Sequence, residues 1–461
     1  MSADKRTAAK RDDGSGREEL ENEFRAMFAE RSETVRMTTA PYAAVRQRIV
    51  AGRRRRRMRI GSAGVAFAVA VVGVGVWATV PAGRHAAVTP ATTPTSPGVM
   101  AGVPAKVLYA DGHTEVPDGQ LRDDALNWLR ANYTGNLAGT TVVTTFDQKA
   151  QTAASASPDS SVVILDARDG AVLALGGAWN RPVPVADLMK PILLAAAFQS
   201  GKYTPDSTVP LDTAKHPLYW PPGARQPLTY AAGNQQADWP PESPTTHIVD
   251  QDVTLRRAAE LGADGPFAQL ELSPDMSPTV LRDMGVSLGL PSDSQDLVPV
   301  ASLVLGIVKA TPLTMATVNA TFADGGVRRD PRMVATVLGA TGQTVWTPPD
   351  KAAQVLSQTT AAQVTDVLHS ALAEGSTGYG VVPPSTIGAQ TWAMAAASAT
   401  ENAAWLVGAD SHYVISVGMS KEDENGNLLP LADDHRFGPV TGSFFAGMTW
   451  AGLVRAVRTL G

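Results

Sequence analysis

Apolar and polar positions alternate with two different periods along this chain, and the switches between them mark out its elements. Residues 140–145 (TTVVTT) form a β-branched run that predicts a strand. Residues 161–165 (SVVIL) and 171–175 (AVLAL) flank DARDG, and Asp-Gly between two apolar runs predicts a β-hairpin. Residues 403–407 and 413–417 predict a second strand group near the C-terminus. Between these groups the period becomes helical. Residues 123–133 place Ala125, Leu126, Leu129 and Tyr133 on one face, and 185–198 (VADLMKPILLAAAF) predict a helix with Pro191 close to its start, where the missing N–H matters least. Further helices are predicted at 254–260, 279–288, 312–322, 360–373 and 444–457. Strands at both ends of a helical middle predict an α+β domain, an antiparallel sheet covered by helices, in which both ends of the domain meet in one sheet.

Upstream the pattern changes again. Residues 60–80 (IGSAGVAFAVAVVGVGVWATV) are 21 residues without a charge, a length that spans about 30 Å of hydrocarbon at the helical rise. Arg53 to Arg57 and Arg59 abut its N-terminal end, which orients that flank to the cytoplasm and the C-terminal bulk to the outside. A cleaved signal peptide is the alternative; it would require a 59-residue n-region, whereas a whole signal runs to roughly 15–30 residues. The arginine run also has the composition of a nucleic-acid patch, but its position against an apolar segment assigns it to topology and anionic-lipid contact, so no nucleic-acid partner is expected. Residues 18–30 carry Leu20, Phe24, Met27 and Phe28 at helical spacing, which fits either a short amphipathic docking helix or a solvated tail. After the apolar run comes a Pro/Thr/Ala-rich stretch, including VTPATTPTSPGVMAGVP, too poor in bulky apolar residues to pack. The chain thus divides into a basic tail (1–59), a transmembrane helix (60–80), a linker (81–105) and a folded domain (106–461).

Charge supports that division. The net charge is −5, yet residues 1–59 hold 16 Lys and Arg against 9 Asp and Glu, or +7, leaving 23 against 35, or −12, for the remainder. There is no cysteine, which excludes disulfides, thiolate metal sites and a cysteine nucleophile. Seven histidines are scattered without ligand spacing, so neither a metal nor another cofactor is expected.

Four segments bear on function. TTVVTTFDQKAQTAA from Thr140, SSVVILDARDGAVLALGG from Ser160, PILLAAAFQSGKYTPDSTVPLD from Pro191, and the block from Val304 to Val345 occur in an order and spacing that resemble the transpeptidase domain of bifunctional penicillin-binding proteins. The resemblance implies the serine β-lactamase-like transpeptidase fold, and the interval between residues 80 and 140 leaves no room for that family's glycosyltransferase domain.

The family acylates a serine in a Ser-x-x-Lys motif at the start of a helix. Lys190 and Pro191 fit that motif here, but the serine position is Asp187. A carboxylate is a poor acyl acceptor, because its attack on an amide gives a reactive mixed anhydride. Asp187 and Lys190 read instead as an i,i+3 ion pair, with the acid favoured by the helix N-terminus. The second motif, Ser-x-Asn, aligns with Gly262 and Asp264, and the third, Lys-Thr-Gly, with Ala396, Ala397 and Ser398. Hydroxyl, amide and cation are lost. Ser385, Ser398 and Ser420 stand in no nucleophile motif and read as turn or cap residues. Three functions follow as expectations: a noncatalytic module binding cell-wall peptide or proteins of cell-wall synthesis; a divergent active D,D-transpeptidase or carboxypeptidase; and a sensor that reports wall state to the basic tail.

Overall fold

The computed structural model describes residues 102–157, 160–211, 216–232, 235–238, 252–376, 378, 381–398, 402–431 and 443–460. The expected cytoplasmic tail, transmembrane helix and linker lie outside them, apart from linker residues 102–105. Among the described residues no helix is long and apolar enough to cross a membrane.

The principal strands are β1 (Lys106–Leu108), β2 (Thr141–Thr144), β3 (Ser161–Asp166), β4 (Ala171–Gly176), β5 (Val334–Leu338), β6 (Thr344–Trp346), β7 (Thr391–Ala397), β8 (Ala403–Asp410) and β9 (Tyr413–Glu422). The helices are α1 (Gln120–Asn132), α2 (Gln148–Ser155), α3 (Lys190–Gln199), α4 (Leu255–Leu261), α5 (Asp264–Glu271), α6 (Pro278–Leu288), α7 (Pro312–Ala323), α8 (Gln358–Ser370) and α9 (Ser443–Val457).

The main sheet is antiparallel with strand order β7-β8-β9-β3-β4, and Leu428–Leu429 adds a short pairing to β9. Its centre joins the two ends of the domain, since Tyr413 of β9 faces Asp166 of β3 and Gly418 faces Ser161. The predicted hairpin is the β3–β4 pair, and Gly170 at its turn has φ +73°, a conformation that favours glycine. Successive side chains of these strands point to opposite faces, and both faces are buried. Val163, Leu165, Trp392, Met394, Trp405 and Val407 join one core with the residues of α3 and α7. Val162, Ile164, Ala393, Leu406, Ile415 and Val417 join a second core under α9, whose Trp450 is fully buried and donates its indole N–H to the Ile415 carbonyl at 3.1 Å. A smaller sheet of order β1-β2-β5-β6 flanks the domain. Its β1–β2 pair is parallel, the one principal pairing outside the antiparallel pattern.

Helix α3 is buried all round, from Lys190 to Phe198, as expected of a helix with no polar face. The single predicted helix over 185–198 is in fact two segments, a 3-10 turn (Ala186–Met189) and then α3. The break has a tertiary cause. Ala186 takes φ +52°, and its N–H donates to the Gly306 carbonyl at 3.1 Å while the Val185 N–H donates to the Val308 carbonyl at 3.0 Å. The chain is thereby clamped to the 306–308 strip just before the turn, and Pro191 at the first turn of α3 needs no acceptor for a backbone N–H. A Cβ on Gly306 would sit 1.8 Å from the Ala186 carbonyl oxygen, so this close approach requires glycine.

Candidate functional site: a lysine between two carboxylates

The clamp at Ala186 delivers Asp187 to the first turn of the 3-10 segment, and the backbone N–H of Lys190 bonds back to the Asp187 carbonyl. Lys190 is wholly buried. Its ammonium reaches Asp187 Oδ1 at 2.8 Å, Asp264 Oδ1 at 2.7 Å and the Gly262 carbonyl oxygen at 3.2 Å, and sits 5.4 Å from the centroid of the buried Phe267 ring. Three donors meet three acceptors, as a buried ammonium requires.

Gly262 and Asp264 arrive by a tight helix-to-helix connection. Thr254 caps α4 through a hydrogen bond from the Arg257 N–H, and Gly262 ends it in the left-handed conformation at φ +61°. That ending turns the Gly262 carbonyl toward Lys190 and lets α5 begin two residues later, with Asp264 in its first turn. The acid is favoured there by the helix dipole as well as by the ammonium.

The electrostatics of the three charges differ. Burial alone would depress the Lys190 ammonium, but the two carboxylates outweigh it and hold its pKa above the ordinary lysine value. Burial pushes the Asp187 carboxyl up, Lys190 pulls it back, and the like charge of Asp264 adds to the rise. Both carboxylates keep contact with solvent, at 30% side-chain exposure for Asp187 and 26% for Asp264. A positive charge is fixed at Lys190, and no hydroxyl is within its hydrogen bonds.

The third motif is carried by β7, which packs against the 3-10 turn. Ala396 is buried opposite Trp405, and the Trp405 indole N–H donates to the Pro184 carbonyl at 2.8 Å, tying β8 to the strip that leads into Asp187. Ala397 is exposed. Ser398 closes the β7–β8 connection: its Oγ donates to Asn402 Oδ1 at 2.8 Å and accepts the backbone N–H groups of Asn402 and Ala403 at 3.1 and 3.0 Å. Ser385 is exposed in a short 3-10 turn (Pro384–Thr386), and Ser420 lies on β9 opposite Ala403.

Asp187, Lys190, Gly262 and Asp264 are thus brought into direct contact, and the strand bearing Ala396 and Ala397 is brought against the turn that carries Asp187. Sequence reasoning paired Lys190 with Asp187 and missed Asp264 as its second partner. It also missed Glu271, at the far end of α5, which is fully buried with no hydrogen bond of full geometry to either carboxyl oxygen. Burial pushes its pKa up to about 9, with the Val304 backbone N–H drawing it back only in part. Among the described residues no group of His, Asp and Glu is arranged to hold a metal ion.

Comparison with known proteins bears on the fold. Residues 259–429 match the family described as penicillin binding protein transpeptidase domain. A comparison with curated proteins finds no match. Among solved structures, the D,D-transpeptidase domain of a peptidoglycan glycosyltransferase from Eggerthella lenta is similar with a TM-score of 0.56 at 18% identity, over 77% of this chain and 98% of that one. Penicillin binding protein 3 from Mycobacterium tuberculosis, in complex with aztreonam, aligns with a TM-score of 0.58 at 16% identity, over 78% and 97%. The penicillin-binding protein PonA1 from Mycobacterium tuberculosis aligns with a TM-score of 0.55 at 19% identity, over 69% and 84%. Identities this low speak to fold alone. Residues 259–429 therefore match the penicillin binding protein transpeptidase domain family, and the described domain shares the fold of the solved transpeptidase domains.

Proposed function

We propose that this chain is a membrane-anchored, penicillin-binding-protein-like module of cell-wall peptidoglycan synthesis that works by binding, without acyl transfer. The observation that carries the reading is the pairing of Lys190 with two carboxylates, at 2.8 and 2.7 Å. A lysine that is to accept a proton from a nucleophile must spend time neutral near the working pH. This one is held as an ammonium. The position one helical turn before it holds a carboxylate, whose acylation product hydrolyses as an anhydride. Ala396 and Ala397 offer a substrate carboxylate no cation or hydroxyl.

The apolar run at 60–80, flanked by arginines on one side, supports a single-pass anchor with the domain outside the cytoplasm. The −12 charge beyond residue 59 and the missing cation favour a protein partner of wall synthesis over a peptide with a free carboxylate. Full-length protein incubated with a peptide ending in D-alanyl-D-alanine is expected to release no D-alanine and to form no cross-linked product by mass spectrometry. Release that disappears in Lys190→Ala would establish an enzyme instead.

A further inference from the structure

Glu271 is wholly buried in the last turn of α5, and neither of its carboxyl oxygens accepts a hydrogen bond of full geometry. Buried carboxyls are paired as a rule. The Val304 backbone N–H faces this one from the 3-10 turn Leu303–Leu305, which packs against α5. That turn is also a wall of the strip leading into Asp187. It packs against the 3-10 segment Ala186–Met189, and the chain that follows it carries the Gly306 and Val308 carbonyls, which accept the Ala186 and Val185 N–H groups at 3.1 and 3.0 Å. The other end of α5 carries Asp264, held to Lys190 at 2.7 Å. One carboxyl therefore lies between the two elements that seat Asp187 and Asp264. These two walls are unequally held. Helix α5 is anchored through Asp264, whereas the turn is three residues of 3-10 geometry, with poorer hydrogen bonds than an α-helix, ending at Gly306 in the left-handed region at φ +70°. Just upstream, Val298 and Val300 are 49% and 37% exposed, so the way to water lies on the side of the turn.

The charges on neighbouring elements are committed elsewhere. The strand Thr208–Pro210 and the 303–305 turn, both packed on α5, carry no titratable residue. On α3, the Lys190 ammonium is taken by Asp187 and Asp264. On α4, Arg256 pairs with Asp366 and Arg257 with Glu260. On α6, which packs on the turn, Arg282 pairs with Asp283. Burial and the Val304 N–H are what act on the Glu271 carboxyl, so it keeps its proton while it stays enclosed. We infer that Glu271 is a proton-held latch on the wall that seats Asp187. With the proton in place, the carboxyl stays dry and the 303–305 turn closes on α5. Once the proton is lost, the carboxylate reaches water only if the turn swings outward, and that movement withdraws the Gly306 and Val308 carbonyls from Ala186 and Val185. Asp187 then loses its backbone seat, and the Lys190 cluster opens on that side. An element held by few buried contacts opens in this way before the domain unfolds. The effect on ligand binding rests on the binding role proposed above; the opening itself does not, so it can fail while that role stands.

The test is hydrogen–deuterium exchange of the full-length chain in detergent between pH 6 and pH 8, with and without about 1 M urea, read by mass spectrometry in peptides covering 183–190 and 303–308 and, for reference, β8. After correction for the intrinsic exchange rate, protection in the first two peptides is expected to fall by about tenfold per pH unit. The closed form holds the Glu271 proton throughout this range, whereas the open form, with a carboxyl near its ordinary value of 4.5, does not. Urea should hardly change that protection, since a local opening exposes little surface, while β8 should respond to it strongly. Glu271→Gln has no proton to lose and should remove the pH dependence from both peptides. A flat wild-type profile overturns the proposal whether or not the glutamine variant folds. So does exchange at 183–190 and 303–308 that tracks β8 in urea, which would leave Glu271 acting on global stability alone, and so does a pH dependence that survives Glu271→Gln.

Discussion

Replacing Asp187 and Asp264 together by alanine is expected to destabilise the domain by about 3–5 kcal/mol, the usual cost of leaving a buried charge without its partner. Lys190 is wholly buried, and in that variant only the Gly262 carbonyl, at 3.2 Å, would remain to solvate its ammonium. Either single replacement leaves one carboxylate within 2.8 Å and is expected to cost much less. The decisive variant adds Lys190→Met to the double replacement. A methionine fills much the same volume beside Phe267 and asks for no hydrogen bond, so most of the lost stability should return. Chemical denaturation of the five proteins, wild type, both single variants, the double and the triple, measures this. A double variant as stable as the wild type would show that the two carboxylates do not hold the lysine.

Stability should also fall as pH rises through the neutral range, because of Glu271. Its folded pKa of about 9 lies above the ordinary value of 4.5, so the folded state binds the proton more tightly than the unfolded one. Below pH 4.5 both states are protonated and the contribution is fully present. Between there and pH 9 only the unfolded state is ionised, and stability declines by about 1.4 kcal/mol per pH unit. Above about 9 the folded carboxyl ionises too and the slope from this group ends. Glu271→Gln cannot ionise. The difference in melting temperature between the two proteins should therefore be small at pH 5 and widen toward pH 8 in favour of the glutamine variant. Parallel pH profiles would contradict the burial of a proton at this position.

These two effects differ in how far the sequence announced them. Local patterns were legible: Asp-Gly between apolar runs located the β3–β4 hairpin, and the Ala/Leu-rich stretch after Lys190 located α3, because each depends on neighbours a few residues away. The split of the 185–198 helix was not legible, since it depends on the clamp between Ala186 and Gly306, far apart in the chain. The lysine cluster was half legible. Asp187 lies one turn from Lys190 and could be paired by helical spacing, whereas Asp264 is 74 residues away and is brought in only by the left-handed end of α4 at Gly262. Glu271 gave no signal at all. A glutamate in the last turn of a short helix is ordinarily a solvated residue, and only the packing of α5 against the 303–305 turn (Leu303–Leu305) encloses it.

The proposed binding role rests on one central claim, that the domain has no acylating residue, which the three altered motifs and the Asp187–Lys190–Asp264 cluster support. A fluorescent penicillin tests it most directly: the full-length protein is incubated with the reagent beside an active penicillin-binding enzyme, separated under denaturing conditions and weighed intact. The account predicts a labelled control and an unlabelled chain of unchanged mass. A stoichiometric adduct on this chain would contradict it, and the peptide that carries the adduct would identify the nucleophile.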